Sequence, residues 1–104
     1  MNVIAKRTLL YYIEKYPDAR TALLTWYYEN QKAAFAGFNE LKGVYGNASI
    51  VSGSRVVFNI KGDNYRLIAA VNFRKEALYV IWFGSHEAYN KVDSASVQWR
   101  HTQL

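Results

Sequence analysis

The apolar positions change their period close to residue 48. Upstream of it they recur every three or four residues. In "AKRTLLYYIEKY" the positions Leu9, Leu10, Ile13 and Tyr16 follow helical spacing and predict an amphipathic helix. Pro17 ends that helix and suits the first turn of the next, with Asp18 beside the new N-terminus. The second helix, roughly 18–34, presents Ala19, Leu23, Trp26, Tyr27 and Ala34 as its core stripe. A short helical piece around "FNELKGVY" follows and is closed by Gly46. From about 48 the period becomes two. "SIV", "RVVFNI", "YRLIAAVNF" and "ALYVIWF" are rich in β-branched and aromatic residues and are separated by turn signals. Helices first, antiparallel strands next and a short terminal helix last predict an α+β fold of two layers: N-terminal helices packed on an antiparallel sheet. Residues 1–104 are long enough for one core and too short for two, so a single domain is expected.

The turn signals set the register. In "KGDN" a two-residue loop, Gly62-Asp63, suits a primed hairpin turn, because glycine accepts the positive φ that such turns require. Lys61 then opposes Asn64, Ile60 opposes Tyr65 and Asn59 opposes Arg66. Strict alternation puts Asn59, Lys61, Asn64 and Arg66 on one face. The next connection, "RKE", is also a tight antiparallel turn, so Arg66 and Gly84 lie at the same end of the sheet. The apolar run "ALYVIW" is followed at once by "FGSHEAYNKV". If residues 85–92 are helical, Ser85 is an N-cap, and His86, Tyr89 and Asn90 share a stripe from which Lys91 departs. Asn59, Lys61, Arg66 and His86 are thereby drawn together from three segments.

Each of these residues also has an ordinary structural role open to it. An arginine on a half-buried strand can simply cover a neighbour with its stem. A histidine after a strand can be a turn residue, Tyr89 a core aromatic and Asn59 a partner for strand-end backbone. Their convergence favours a functional reading.

Charge adds to the picture. Thirteen Lys and Arg against eight Asp and Glu give +5, a balance that makes a nucleic-acid partner a reasonable expectation for a small chain. Residues 53–75 hold Arg55, Lys61, Arg66, Arg74 and Lys75 against the single acid Asp63. No run approaches 18 apolar residues, so no membrane span is expected, and "MNVIAKRTLL" lacks the long apolar stretch of a secretory signal. There is no cysteine, hence no disulfide framework and no thiolate metal site. A cytoplasmic location is compatible with that composition.

"VVFNIKGDNYRLIAAVNF" followed by "VIWFGSHEAYNKVD" resembles the HigB family of bacterial toxins, within the RelE superfamily of mRNA interferases. Family members carry a segment like V-F-N-I-x-G-N-x-Y-R-L-I and a later G-T-H-x-x-Y-D-K. Arg66, His86, Tyr89 and Lys91 match that pattern, as do Asn59 and Lys61. Ser85 stands where threonine is usual, Asp63 is an extra turn residue, and Asn90 replaces an aspartate, which leaves no carboxylate at that position.

The resemblance implies a RelE-like fold and the toxin of a type II toxin–antitoxin system. It further implies an endoribonuclease that cleaves mRNA, commonly on the ribosome, and inhibits translation. The implied partner is a helix-turn-helix antitoxin of HigA type, with an acidic segment expected over helix-layer aromatics such as Trp26 and Tyr27, or over the basic face. Catalytic roles fall to Arg66, His86, Tyr89 and Lys91. Asn59 and Lys61 of the matched pattern are the expected RNA contacts, and charge adds Lys42 and Arg55 as outer phosphate contacts. No metal and no cofactor are implied, because RNA supplies its own 2′-hydroxyl nucleophile. The chemistry needs a proton acceptor, charge for the phosphorane and a donor for the 5′-oxygen. Arg66 suits the phosphate and His86 suits proton transfer, while Tyr89 suits positioning the 2′-hydroxyl or stacking a base. Which of His86 and Tyr89 is acid and which base stays open. The alternative is a non-catalytic RNA- or ribosome-binding module that blocks translation by occupancy.

Overall fold

The structure, a computed structural model, describes residues 1–4 and 6–98. Strand β1 (Asn2–Ile4) leads into helix α1 (Lys6–Lys15), a 3-10 turn (Pro17–Ala19) and helix α2 (Arg20–Lys32). Helix α3 (Phe38–Val44) precedes strands β2 (Ser49–Val51), β3 (Arg55–Ile60), β4 (Tyr65–Asn72) and β5 (Ala77–Ser85). Helix α4 (His86–Tyr89) follows. One five-stranded sheet runs β1-β5-β4-β3-β2, antiparallel except for the parallel β1–β5 pair. The fold is α+β, with helices packed on one face of the sheet, as a RelE-like arrangement requires. Strand β1 is the element that the hydrophobic pattern does not reveal. Three residues with one buried side chain, Val3, carry no measurable period, and the strand is set by its pairing with Ala77–Tyr79.

The core lies between the helices and one sheet face. Leu9 and Tyr12 of α1 and Leu23 and Trp26 of α2 pack against Val56, Phe58 and Ile60 of β3, Tyr65, Leu67 and Ala69 of β4, and Leu78, Val80 and Phe83 of β5. The α1 stripe therefore runs through Leu9 and Tyr12, and Leu10 is 55% exposed. Trp26 is 2% exposed and edge-on to Phe58, so it is a core residue and presents no surface to an antitoxin segment. The fully buried Asn30 ties α2 to the end of α3. Its Nδ2 donates to the Trp26 carbonyl at 2.9 Å and to the Tyr45 hydroxyl at 2.8 Å.

The β3–β4 register agrees with expectation: Asn59 opposes Arg66 and Ile60 opposes Tyr65. The turn between them does not. Four residues, Lys61–Asn64, loop out, and the left-handed positions are Lys61 (φ 55°) and Gly62 (φ 66°), in place of a primed Gly62-Asp63 pair. A left-handed Lys61 no longer follows strand alternation. Its Nζ turns to the helix layer and meets Asp18, at 3.2 Å from the carbonyl and 3.3 Å from Oδ2. The connection after β4 is likewise four residues, Phe73–Glu76, closed by Asn72 Oδ1 accepting from the Lys75 amide at 3.0 Å.

Strand β5 contains a bulge. Ile68 pairs with Trp82 while Ala69 pairs with Val80, so Ile81 is the extra residue. The bulge changes which residues face the core. Before it, Leu78 and Val80 point to the helices; after it, Phe83 does. Trp82 and Gly84 are thereby directed to the opposite face, with Arg66 and Asn59.

Candidate active site

The sheet face turned away from the helices carries the chemistry-bearing residues. Alternation along β3 and β4 places Asn59 and Arg66 there as a directly opposed pair, and Gly84 of β5 lies beside Arg66. Arg66 is only 12% exposed at its side chain, yet the acid it approaches, Asp63, stands 3.9 Å away and is 86% exposed. The guanidinium is oriented chiefly by backbone. Nη1 donates to the Asp63 carbonyl at 3.0 Å and to the Tyr65 carbonyl at 3.2 Å. Asn59 Nδ2 donates to Asp63 Oδ1 at 3.4 Å and completes the cluster. With both Nη1 protons engaged, Nη2 faces Asp63 Oδ1 at 3.9 Å.

Helix α4 begins where β5 ends. Ser85 is its N-cap (φ −65°, ψ 160°), and its Oγ accepts from the Ala88 amide at 3.1 Å. The His86 amide donates to the Asn64 carbonyl at 3.0 Å, which pins the start of α4 to the β3–β4 turn. His86 is exposed there, two residues beyond Gly84. Tyr89, one turn later, is half-buried, and its ring lies 6.2 Å from that of Trp82 at 50°. The helix is shorter than 85–92, but the cap is the residue foreseen. Lys91 follows α4 on the rim of two hollows. One, of about 430 Å³, lies between α1 and α4 beside Tyr12, Lys15 and Glu87; the other lies beneath the chain after α4.

Register thus sets Arg66 and Asn59 side by side at one end of this face, the His86 amide is tied to the adjoining turn, and Tyr89 lies beside Trp82. Three candidate RNA contacts are engaged elsewhere. Lys42 donates to the Gly46 and Ala48 carbonyls at 3.1 and 2.6 Å, at the end of α3. Lys61 holds Asp18 on the helix side. Arg55 is at the other end of the face, four residues or about 13 Å along β3 from Asn59. It is 9% exposed, and its Nη1 donates to the Ser94 and Val97 carbonyls at 3.1 and 2.6 Å. Net charge alone could not separate these anchors from the free cations.

Electrostatics record the same division. The Tyr65 hydroxyl donates to Asp18 Oδ1 at 2.6 Å, and this bond, followed by Lys61, holds the Asp18 carboxyl below its ordinary value. The same bond pushes the Tyr65 phenol up to about 12. Burial pushes Tyr12 up to about 12 as well. Asp93 is held low by the Ser96 hydroxyl and the Ala95 amide. Among the described residues, no three His, Asp or Glu side chains are grouped to hold a metal ion.

Sequence reasoning missed Trp82 and Gly84. A Cβ on Gly84 would come within 2.6 Å of Trp82 Cη2 and 2.8 Å of Cζ2, so the indole lies directly over this glycine. The available signal was an aromatic two positions before a glycine in "IWFG", but the bulge that aims Trp82 has no signature in the hydrophobic pattern.

Helices on one face of a five-stranded mixed sheet, followed by a short C-terminal helix, form an α+β fold consistent with a RelE-like protein. The model of the HigB_toxin family, the RelE-like toxic component of a toxin–antitoxin system, matches residues 19–92, well over half of the chain, and the chain belongs to that family. The match covers β3, β4, β5 and α4. A search of curated proteins gives no significant match. An antitoxin partner follows from membership. No helix among the described residues is long and apolar enough to cross a membrane.

Proposed function

We propose that this toxin is an endoribonuclease that cleaves mRNA at the ribosome without a metal ion, inhibits translation in the cytoplasm, and is neutralised by a helix-turn-helix antitoxin of HigA type. The observation that carries the reading is the half-buried Arg66. Its fork is oriented by two backbone carbonyls and stands beside Gly84, two residues before the exposed His86. In the reaction the substrate 2′-oxygen attacks phosphorus and gives up its proton to a base. The P–O5′ bond breaks and the 5′-oxygen takes a proton, leaving a 2′,3′-cyclic phosphate and a 5′-hydroxyl. Arg66 offers charge-assisted donors to the phosphorane oxygens. His86 and Tyr89 divide the proton transfers, and Asn59 keeps Asp63 turned to the arginine. Lys91 adds attraction for flanking phosphate.

Asn90 favours a second reading, since it offers no carboxylate base beside the histidine. In that reading the protein occupies the ribosome and blocks translation without cutting. Induced expression with mapping of RNA ends separates the two. Growth arrest with new 5′ ends inside coding frames is expected for cleavage, and arrest with intact messages would establish blockade instead.

A further inference from the structure

Beneath the chain that follows α4 is a hollow of about 470 Å³, of whose lining residues only Lys91 carries an assigned role. Among the described residues it is lined by Trp82, Lys91, Asp93, Ser96 and Gln98, together with valines. We propose that this hollow is a nucleobase site, with Trp82 as the platform on which one base of the RNA strand stacks. The inference rests on the ribonuclease reading and names a specificity-determining residue for it.

Three independent features point to this. The Ile81 bulge turns the largest side chain of β5 away from the core and onto the face that holds Arg66. Burying that indole among the helices would have contributed more to the fold, so its outward placement is a cost that a ligand would explain. Gly84 then keeps the ring down against the sheet, since any side chain there would meet it at 2.6 Å. Gly84 pairs with Arg66, so the end of the indole lies over the residue next to that arginine on the neighbouring strand. Finally, the lining that the indole shares with Val92 and Val97 includes polar groups, Asp93, Ser96 and Gln98. Asp93 Oδ2 accepts from Ser96 Oγ at 2.7 Å and Oδ1 from the Ala95 amide at 3.1 Å, which fixes the carboxylate and leaves lone pairs for an exocyclic amino group. An aromatic floor, a lysine at the rim and a fixed acceptor suit an unstacked base better than a phosphate. They favour adenine, cytosine or guanine over uracil.

The test uses the full chain carrying His86→Ala, with a short single-stranded RNA blocked by a 2′-O-methyl group at each sugar. Base stacking contributes on the order of 1–3 kcal/mol. Trp82→Leu, which keeps apolar bulk but no π face, is therefore expected to weaken binding roughly tenfold, while Trp82→Phe loses less than threefold. A second measurement is independent of the Leu variant's stability. RNA should quench tryptophan fluorescence in the parent, and the quench should vanish in Trp82→Phe. Oligouridine should bind more weakly than oligoadenine or oligocytosine, and Asp93→Asn should narrow that difference. Binding and quench unchanged by Trp82→Leu and Trp82→Phe overturn the base site alone. If Trp82→Leu instead weakens antitoxin binding and spares RNA, the hollow belongs to the protein partner and the proposal falls. A parent that binds no RNA sinks the ribonuclease reading as well.

Discussion

Gly84→Ala adds one methyl group and removes none, which makes it a sharp probe of how Trp82 is held. Gly84 does not occupy the left-handed region, so alanine brings no backbone strain of that kind. The new Cβ would meet Trp82 Cη2 at 2.6 Å and Cζ2 at 2.8 Å, about 1 Å inside comfortable carbon–carbon separation. The indole must swing, and the Tyr89 ring 6.2 Å away limits where it can go. Overpacking of this kind costs about 1–3 kcal/mol. For a chain of this length that corresponds to a fall in Tm on the order of 4–20 °C. In a Trp82→Leu background the ring atoms are gone. Alanine should then be neutral, or stabilising by about 0.4–1 kcal/mol through the unfolded chain. Urea unfolding of the four His86→Ala proteins, followed by far-UV circular dichroism, closes the cycle. A coupling of at least about 1 kcal/mol is expected. Additivity within about 0.5 kcal/mol would show that the indole does not lie over Gly84.

The site makes its own demands. Arg66→Ala and His86→Ala should each abolish growth arrest and lower cleavage by about a hundredfold or more with circular dichroism unchanged; a fully toxic His86→Ala with the same products reduces the histidine to a turn residue. Lys91→Ala should weaken RNA binding only in part and reduce the slope of log affinity against log salt by about one, and a parent with a flat salt response removes the basic-face account. Asp18 has a depressed folded-state pKa, so its contribution is present above the ordinary 3.8 and is lost as pH falls through the folded value. Acid titrations should therefore show Asp18→Asn less stable than the parent near neutrality and equal to it at the acid end, and a constant difference across pH would contradict the Tyr65–Asp18–Lys61 arrangement.

Much of this was legible from residues alone, for identifiable reasons. The β3–β4 register follows from a glycine-bearing turn between two β-rich runs, and a slip by one would have turned Phe58 and Leu67 to the wrong face. The Ser85 cap follows from a hydroxyl set before a polar turn. What escaped was set by tertiary contact. β1 exists through pairing, Lys61 leaves the ladder for Asp18, and the Ile81 bulge rephases β5. Of the candidate site, Asn59 and Arg66 sit where register put them, Lys61 leaves its register position because the turn is longer, and Lys42 and Arg55, chosen by charge, are held elsewhere.

Arg55 shows what that distinction means for function. Read from charge, it is a phosphate contact, and its loss should weaken RNA binding in a salt-dependent way. In the structure it is 9% exposed and holds the carbonyls of Ser94 and Val97, and its charge helps keep Asp93 ionised. A cation so placed fastens residues 94–97 over the face turned away from the helices, and Ser96 and Val97 line the hollow beside Trp82. Arg55→Ala should therefore cost stability first. Two hydrogen bonds from a charged donor contribute about 1.5–3 kcal/mol each when buried, less whatever hydration the freed carbonyls regain. The salt slope of RNA binding should stay at the parent's value, while discrimination between oligouridine and oligoadenine should shrink because the Asp93 wall is no longer fixed. A variant with parental stability and a slope reduced by about one would return Arg55 to the phosphate backbone, and with it the view that net charge locates this site.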